Sequence, residues 1–502
     1  MEAVSYFFMA WTDPSLLAMV AVGTLAGIYV GAIPGLSVTM AASILISFTF
    51  KWPVEDALAL IAGIFLGGVY GGSRSAILLN IPGAPSAVAT ALDGYPLAQR
   101  GEAGSAIGVT TVMSVIGGFV GILALAVAAP AISSFALMFA PRDYLLLALI
   151  GILLVGSLSG KSLAKGIFAG ALGVTIGMVG MDPMTAQGRF TFGSLNLMGG
   201  IPYVAAMIGF FGVAEALYQL RTIDLTPVRQ KVSSIIPDWR LVWKYLPLSL
   251  RTSAIGVVIG ALPGTGGDIA SLMAYDHAKR SVKSPSRPFG EGAYEGLVAP
   301  ESANNAAVGG AYIPMLTLGI PGDAVTAVII GALYIHGLKP GPLLMVETPH
   351  LFWFTVGSLT LANIFLLVFG LTGIRVFSKI VECPKGVLIP LILVLSAVGT
   401  YAIQNNPVDI YWMLGFGILG YFMKVYGFVV APVILGVILG PLMDVSYRRA
   451  MISARGDVAT FFTEFMTSPL SLALTLFFLF IVFSQTPLWQ RLTGRTKVNV
   501  DA

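Results

Sequence analysis

The chain of 502 residues is 56% hydrophobic and only 10% charged, whereas soluble globular domains carry about 25% charged residues. This composition excludes a soluble globular protein and predicts a polytopic membrane protein. The net charge of +4 arises from basic residues that gather in connecting segments, a pattern that signals membrane orientation rather than nucleic-acid binding. A single cysteine, Cys383, excludes an internal disulfide, and three scattered histidines make no metal-ligand cluster.

Apolar runs recur along the whole chain. The main runs lie at residues 16–33, 103–129, 144–158, 166–179, 201–220, 351–369, 386–402, 410–423, 428–443 and 470–484. A helix needs about 20 residues to cross an apolar layer of about 30 Å, and on this basis we predict about ten to fourteen membrane segments. The first run lacks the basic flank of a signal peptide and is expected to be retained. The predicted fold class is an all-α polytopic membrane protein.

Two motifs occur twice, in the same order. GIYVGAIPG at residues 27–35 matches GVVIGALPG at 256–264 in five positions, and NIPG at 80–83 matches GIPG at 319–322. Two ordered matches predict an internal duplication. We therefore divide the chain into a first transmembrane repeat (1–220), a basic cytoplasmic connector (221–244), a second transmembrane repeat (245–445) and a C-terminal basic loop with the last transmembrane helix (446–502).

Each repeated motif places Pro-Gly inside an apolar stretch, where proline removes a backbone donor and a continuous helix is expected to break. In the second repeat, residues 252–262 and 265–275 are predicted to form half-helices of 11 residues, about 16 Å each, joined as a re-entrant hairpin. Basic residues flank this hairpin on both sides, which predicts that both of its ends face the cytoplasm. The matching first segment has no basic cluster, so we expect it to open from the opposite side. The result is an inverted repeat of broken helices.

Non-helical backbone at membrane depth is tolerated only where it is buried in protein or lines a polar cavity, and helix N-termini present N–H groups to anions. The four Pro-Gly breaks therefore predict one central anion and ion site, typical of a secondary transporter. The candidate substrate-binding residues are Pro34, Gly35, Ser37, Ser73, Arg74, Asn80, Pro82, Gly83, Ser86, Pro263, Gly264, Thr265, Asn304, Asn305, Pro321, Gly322 and Thr326. The candidate ion-coupling residues are Asp268, Glu301 and Asp323, since intramembrane acids are costly and commonly functional.

The same residues also fit structural roles. Hydroxyl and acidic side chains after each Pro-Gly could cap helices, and Asn304 and Asn305 could hydrogen-bond between helices. Arg74 could pair with a substrate carboxylate or extend to the membrane interface. The sequence contains no evident nucleophile–base pair, metal cluster or ATP-binding loop, which argues against an intramembrane enzyme and against an ATP-driven pump. No cofactor is expected beyond a coupling ion, Na⁺ or H⁺.

Five long motifs are spread over nearly the whole chain. They are GAIPGLS at 31–37, YGGSRSAILLNIPGAPSAVATALDGYPLAQRGEAG at 70–104, RFTFG at 189–193, GALPGTGGDIAS at 260–271 and PESANNAAVGGAYIPMLTLGIPGDAVTAVIIGALYIHGLKPGP at 300–342. Together they resemble the large membrane subunit of the tripartite tricarboxylate transporter family.

The resemblance implies a carboxylate uptake transporter in a bacterial inner membrane, driven by an ion gradient rather than by ATP. It implies two protein partners, a small membrane subunit and a periplasmic solute-binding protein, and a tri-, di- or aromatic carboxylate as the substrate. A self-sufficient carboxylate carrier and an ion channel are the alternatives. The paired Pro-Gly hairpins argue against a channel, because a channel needs a continuous pore.

Overall fold

The computed structural model describes residues 2–33, 36–158, 163–182, 184–222, 235, 237–373 and 385–484. These residues are mostly helical, and the strands among them are the two-residue β1 (Gly180–Met181) and β2 (Gly188–Arg189), which pair antiparallel. The all-α polytopic fold class expected from the composition is confirmed.

The first half of the chain contributes eleven described helices. They are α1 (Glu2–Thr12), α2 (Pro14–Ala32), α3 (Val38–Thr49), α4 (Val54–Leu79), α5 (Val88–Gln99), α6 (Ala103–Ala136), α7 (Pro141–Leu158), α8 (Leu163–Gly177), α9 (Leu195–Met198), α10 (Tyr203–Met207) and α11 (Ala214–Gln219). A 3-10 turn at Pro85–Ala87 precedes α5, a π-helical turn at Ile208–Val213 joins α10 to α11, and a second 3-10 turn follows at Leu220–Thr222.

The second half contributes eleven more in its described part. They are α12 (Trp239–Gly260), α13 (Gly266–Ser281), α14 (Glu295–Leu318), α15 (Ala324–Ile335), α16 (Leu344–Glu347), α17 (Pro349–Thr372), α18 (Lys385–Gln404), α19 (Pro407–Val425), α20 (Ala431–Ser453), α21 (Val458–Thr467) and α22 (Pro469–Ser484).

The chain packs into two compact units. The first contains Met1–Ala136 and Val204–Val425, and the second contains Leu137–Tyr203 and Tyr426–Ala502. All four Pro-Gly motifs belong to the first unit, so the candidate site can be built from that unit alone. The repeat boundaries drawn from the sequence stay a prediction, because packing into units does not test a duplication.

Six of the described helices are long and apolar enough to cross a membrane, namely α2, α4, α6, α17, α19 and α20. The bent pair α21 and α22, which meets at 94°, passes the same test jointly. Shorter apolar helices of 10–17 residues include α3 and α15. The range of ten to fourteen segments drawn from the sequence included such shorter runs, which are too short to cross an apolar layer by themselves.

Helices α2 and α4 run parallel in close contact. A Cβ atom added to Gly27 would lie 2.5 Å from the carbonyl oxygen of Ile64, and one added to Gly31 would lie 2.0 Å from that of Gly68. Glycines four residues apart permit this approach of two backbones. Residue numbers rise together along the contact, so the chain must return through α3 before α4 begins. Helices α2 and α3 therefore form a hairpin.

Helices α12 and α14 repeat this contact. A Cβ atom on Gly256 would lie 2.2 Å from the carbonyl oxygen of Ala303, and one on Gly260 would lie 2.4 Å from that of Ala307. The contacted residues of α4 and α14 are 239 positions apart, the same separation as the NIPG and GIPG motifs. The two helix pairs therefore pack in the same register.

Helices α4 and α14 face each other with opposite chain directions. The rings of Phe65 and Tyr312 lie 5.9 Å apart, centroid to centroid. One turn further along α4, the carbonyl oxygen of Val69 accepts a hydrogen bond from Asn304 Nδ2 at 3.2 Å. Numbers rise on α4 while they fall on α14. The α2–α4 pair and the α12–α14 pair are thus oppositely directed.

The prediction of two 11-residue half-helices after the basic connector is wrong. Helix α12 has 22 residues and α13 has 16, about 33 Å and 24 Å long. Hydropathy falls near Arg251 because the polar flank of the helix begins there, and the helix continues through Pro247, which removes one backbone hydrogen bond without ending the helix. The break itself lies where Pro-Gly predicts it, between Gly260 and Gly266.

In the second unit, four charged side chains surround the β1–β2 hairpin. Arg189 Nη1 lies 3.0 Å from Asp444 Oδ2, and Arg448 Nη1 lies 2.8 Å from Asp182 Oδ2. Arg448 also bonds Asp444 at 3.1 Å. These ion pairs hold the hairpin against the last turns of α20.

Candidate functional site

The second break in each half has the same backbone conformation. Helix α4 ends at Asn80 with φ 55°, and α14 ends at Gly319 with φ 71°. A left-handed residue terminates a helix and turns the chain away from its axis. Asparagine and glycine are the residues that adopt this conformation most readily.

Each half also folds its second break onto its first. A Cβ atom on Gly83 would lie 2.1 Å from the carbonyl oxygen of Gly31, and one on Gly322 would lie 2.7 Å from that of Gly260. The two breaks of each half are therefore in backbone contact.

The breaks then pair across the two halves. Helix α3, which follows the first break of the first half, packs against α15. The Pro85–Ala87 turn and α5, which follow the second break of that half, pack against α13. The first break of each half thus meets the second break of the other.

One of these pairs is closed by its own side chains. Ser37 Oγ accepts from the backbone N–H of Met40 at 3.0 Å and caps α3. Asp323 Oδ1 accepts from the N–H of Thr326 at 2.7 Å, and Thr326 Oγ1 accepts from the N–H of Asp323 at 2.9 Å. The capping role is therefore present for these three candidate residues.

At the other pair, which we call the open pair, the N-cap residues do not cap the helices that follow the breaks. Thr265 Oγ1 donates to the carbonyl oxygens of Leu262, at 2.9 Å, and Ile259, so it does not cap α13. The N-cap residues of the Pro85–Ala87 turn and of α5 are Ala84 and Ala87, whose side chains have no acceptor atom. Uncapped N-termini leave N–H groups that an anion can accept from.

Asp268 lies between these two open N-termini. It is the third residue of α13, its carboxylate accepts a hydrogen bond from the backbone N–H of Ser86, and it lies close enough to Asp323 for the two charges to interact. Ser86 itself is buried. Within the described residues, no lysine, arginine or histidine forms an ion pair with Asp268 or Asp323. The two acids therefore form one cluster of negative charge that backbone N–H groups stabilise but no described basic side chain neutralises.

Two buried amides lie on α14 beside this cluster. Asn304 is 1% exposed and Asn305 is fully buried. Asn304 Nδ2 donates to the carbonyl oxygen of Val69, which is the interhelical bond that the structural interpretation expected. Asn304 Oδ1 and both amide atoms of Asn305 have no hydrogen-bond partner among the described residues. Buried amides without partners are rare enough to suggest a ligand.

Glu301 lies one helical turn before Asn304 and is fully buried. Its Oε1 accepts from Thr90 Oγ1 at 2.6 Å, and its Oε2 accepts from Ser114 Oγ at 2.9 Å. Thr90 belongs to α5 and Ser114 to α6, so this carboxyl group joins both halves. No basic side chain forms an ion pair with it in the part of the chain that the structure describes.

Arg74 does not extend to the membrane interface. It is 1% exposed, its Nη2 donates to Tyr70 Oη at 2.7 Å, and the same atom donates to the carbonyl oxygen of Gly370. The buried guanidinium is thus held between α4 and α17. Ser73, the preceding residue, donates to the carbonyl oxygen of Tyr70 at 2.7 Å and lies beside the Glu301 carboxyl group.

The remaining candidates supply the breaks themselves. Pro34 and Gly35 lie outside the described residues. Asn80, Pro82, Gly83, Pro263, Gly264, Pro321 and Gly322 form the described backbone turns, and Gly264 has a left-handed φ of 77°. The described candidates therefore lie around the four breaks. Some of them cap the helix that follows a break, and the others do not.

One residue that holds the fold together near the site escaped the sequence interpretation. Asp93, on α5, accepts from Tyr275 Oη at 2.9 Å and from the backbone N–H groups of Gly290, Gly292 and Ala293 at 2.8–2.9 Å. The loop between α13 and α14 is thereby bound to α5. These partners lie about 180–200 positions away in sequence, and the only signal was an acid inside the ALDGYP motif.

A second bond reinforces this connection. Arg287 Nη2 lies 2.7 Å from Glu102 Oε1, and Tyr294 Oη donates to Glu102 Oε2 at 3.1 Å. The hydrogen bond from Arg287 lowers the pKa of Glu102 below its usual range. The outer ends of α5 and α13 are therefore tied together beyond the membrane-spanning part.

These features define a multi-pass helical membrane protein whose broken helices meet at one place. Residues 17–435 match the family model of the tripartite tricarboxylate transporter TctA family. The chain belongs to this family, which is a family of membrane transporters.

Two relatives from Agrobacterium vitis also match. One, named as an uncharacterized 52.8 kDa protein in the TAR-I ttuC' 3'region, is 39% identical over 446 residues, which cover 88% of each chain. The other, named as an uncharacterized protein in the TAR-II ttuC' 3'region, is 42% identical over 219 residues, or 44% of this chain and 88% of the relative. No solved structure matches.

Proposed function

We propose that this chain is the large transmembrane subunit of an ion-coupled, binding-protein-dependent carboxylate uptake transporter in a bacterial inner membrane. The observation that carries the proposal is the crosswise pairing of the four helix breaks, α3 with α15 and the Pro85–Ala87 turn with α13. Discontinuous helices that meet at one site are the arrangement in which secondary transporters bind anionic substrates. Family membership supports the transport class.

The substrate carboxylate binds at the open pair of breaks. The first turn of α13 and the Pro85–Ala87 turn present N–H groups that their own N-cap residues, Thr265 and Ala84, do not cap. The capped α3–α15 pair offers fewer donors, because Ser37 and Asp323 already accept from them. The open pair therefore favours a carboxylate over the capped pair.

The two repeats, residues 1–220 and 245–445, have opposite orientations in the membrane. Support comes from the matched registers of α2–α4 and α12–α14 and from the opposite directions of α4 and α14. Oppositely oriented halves exchange equivalent conformations, which provides alternating access to one site. Glu301, held by residues of α5 and α6, is a candidate for coupling ion movement to this exchange.

A small membrane subunit and a periplasmic solute-binding protein complete the transporter. The test is uptake of radiolabelled citrate and succinate into proteoliposomes, with a Na⁺ gradient or a proton gradient, with and without the small subunit and the ligand-loaded binding protein. We expect uptake only with the complete set and one of the gradients. Full uptake by this chain alone would favour a self-sufficient carrier, and downhill flux without any gradient coupling would favour a channel.

A further inference from the structure

We propose that the first turn of α13 binds one sodium ion through side-chain oxygens of Asp268, Asp323 and Asn304, and that this ion raises the affinity for the substrate carboxylate. This inference rests on the proposed function, and it specifies which of the polar residues near the breaks hold the coupling ion.

The helix turn is shaped to let oxygens approach it. A Cβ atom on Gly266 would lie 2.9 Å from Asp323 Cβ, and one on Gly267 would lie 2.2 Å from Asn304 Oδ1. Such distances exclude any side chain at either glycine without displacement of the neighbour. Asp268 follows directly and carries its own carboxylate, so three oxygen-bearing side chains surround one turn.

Asn304 provides independent support for a bound cation. Its side chain is 1% exposed, its Nδ2 is satisfied by Val69, and its Oδ1 points at Gly267 with no hydrogen-bond partner among the described residues. A buried oxygen without a partner is unfavourable. A cation on the adjacent turn would satisfy it, whereas an anion would repel it.

The charges point in the same direction. Asp268 and Asp323 act on each other electrostatically, and the described residues place no basic side chain in an ion pair with either. The N-terminal ends of α13 and α15 stabilise the two carboxylates only in part. Carboxylate and amide oxygens are hard ligands, which suit Na⁺ better than a soft metal ion.

Glu301 is excluded from this site by its own hydrogen bonds. Both of its carboxylate oxygens accept from hydroxyl groups, of Thr90 and Ser114, one turn of α14 away from Asn304. The sodium site and the Glu301 site are therefore separate, although they share a helix.

The position of the ion explains why it promotes binding of the substrate carboxylate. The N–H groups of α13 and of the Pro85–Ala87 turn attract a carboxylate, but Asp268, which already accepts from the N–H of Ser86, lies between them and repels it. A sodium ion on Asp268 and Asp323 removes this repulsion. Because the effect is reciprocal, substrate must raise the affinity for Na⁺ by the same factor.

The experiment measures binding of ²²Na⁺ alone to the purified full-length chain in detergent, with citrate absent. We expect saturable binding by the native protein and at least a tenfold weaker affinity in Asp268→Asn, Asn304→Ala and Gly267→Ala. An excess of K⁺ or Mg²⁺ should not displace the ion. Thermal unfolding of each variant shows whether it is folded.

Two matched controls separate binding from folding. Asn363 is also fully buried, donates through Nδ2 to the carbonyl oxygen of Val115 at 2.8 Å and leaves Oδ1 without a partner among the described residues, but it lies on α17. Gly415 has nothing within 4 Å of an added Cβ atom. Asn363→Ala and Gly415→Ala should keep the native affinity.

Several results would overturn the inference: unchanged Na⁺ affinity in folded Asp268→Asn and Asn304→Ala, equal loss in Asn363→Ala, or displacement by Mg²⁺. Native protein that transports with a proton gradient but binds no Na⁺ would also overturn it while the proposed function stands. Native protein that binds Na⁺ but takes up no carboxylate with its partners would instead contradict the proposed function.

Discussion

At the scale of single residues, Asp93 holds the loop between α13 and α14 through hydrogen bonds to Tyr275, Gly290, Gly292 and Ala293. Replacement by alanine leaves the N–H groups of Gly290, Gly292 and Ala293 and the hydroxyl of Tyr275 without their acceptor. A buried donor without a partner costs about 1–3 kcal/mol. We therefore expect Asp93→Ala to destabilise the protein by about 3 kcal/mol or more, and to release the loop between α13 and α14.

The measurements are thermal unfolding in detergent and trypsin cleavage after Lys283, which is followed by serine. Tyr275→Phe is the matched control, because it removes a single donor to Asp93 and should cost about 1 kcal/mol. Asp93→Asn keeps one acceptor oxygen and should lie between the two. Equal cleavage in Asp93→Ala and the native protein would contradict the assigned role of the carboxylate.

In the second unit, the Asp182 carboxylate makes the stability of the β1–β2 hairpin depend on pH in the acid range. Its pKa is lowered to about 2, first because the backbone N–H of Met184 donates to its carboxylate, and further because Thr185 and Arg448 act on it. A folded pKa below the unfolded value of 3.8 gives stability that is complete above about pH 4 and is lost as pH falls towards 2. Pepsin cleavage of the native segment 180–198 should therefore rise over this range.

Asp182→Asn removes the titrating group. Its cleavage rate at pH 4 should therefore exceed that of the native protein, and it should change less between pH 4 and pH 2. Rates are divided by those of a denatured reference substrate at each pH, because pepsin activity itself varies. Identical pH profiles for the native protein and Asp182→Asn would show that this carboxylate does not stabilise the hairpin.

Sequence reasoning identified residue types near the site better than their roles. Ser37, Asp323 and Thr326 were chosen for chemistry that also caps helices, and the structure shows the caps. Capping depends on local dihedral angles, which a motif does not specify. The environment of Arg74 depends on Gly370, 296 positions away, and Pro34 and Gly35 lie outside the described residues.

At the scale of elements, α2 contacts α4 and α12 contacts α14 through equivalent glycines. We therefore predict that substitution of either glycine destabilises the protein to a similar extent. In Gly31→Ala the new Cβ atom would lie 2.0 Å from a backbone oxygen of α4, and in Gly260→Ala 2.4 Å from one of α14. Backbone atoms cannot rotate away as a side chain can. We expect each variant to lose about 1–3 kcal/mol.

Gly415→Ala in α19 is the control, since nothing lies within 4 Å of its added Cβ atom. It should be neutral or stabilised by up to about 1 kcal/mol, because alanine favours a helix. Thermal unfolding of the three variants provides the comparison. Destabilisation of only one of Gly31→Ala and Gly260→Ala would argue against equivalent packing in the two halves.

The positions of the breaks were predictable because Pro-Gly in an apolar run has few other structural solutions. The lengths of the flanking helices were not. Helix α12 extends through Arg251 and Lys244 to Trp239, since charged residues end an apolar run without ending a helix. The crosswise pairing of breaks could not be predicted either. Similarity within the sequence identifies equivalent segments, but it does not identify which segments are in contact.

At the scale of the whole molecule, the directions of the two matched helix pairs predict the orientation of each half in the membrane. Helix α2 runs parallel to α4, α12 runs parallel to α14, and α4 runs opposite to α14. Residues that precede α2 and residues that precede α14 should then lie on opposite sides of the membrane. The sequence suggests the same orientation through the basic residues around α13.

This orientation is testable with two cysteines. Asp13 precedes α2, Ser284 precedes α14, and both are exposed. In a background where Cys383 is replaced by serine, Asp13→Cys and Ser284→Cys should react with a membrane-impermeant maleimide from opposite sides, Asp13→Cys in intact cells and Ser284→Cys only in inside-out vesicles. Each variant must retain uptake with its partner subunits, which shows that labelling reports the native orientation. Labelling of both positions from one side would exclude opposite orientations of the halves, and alternating access would then require a movement that equivalent halves do not provide.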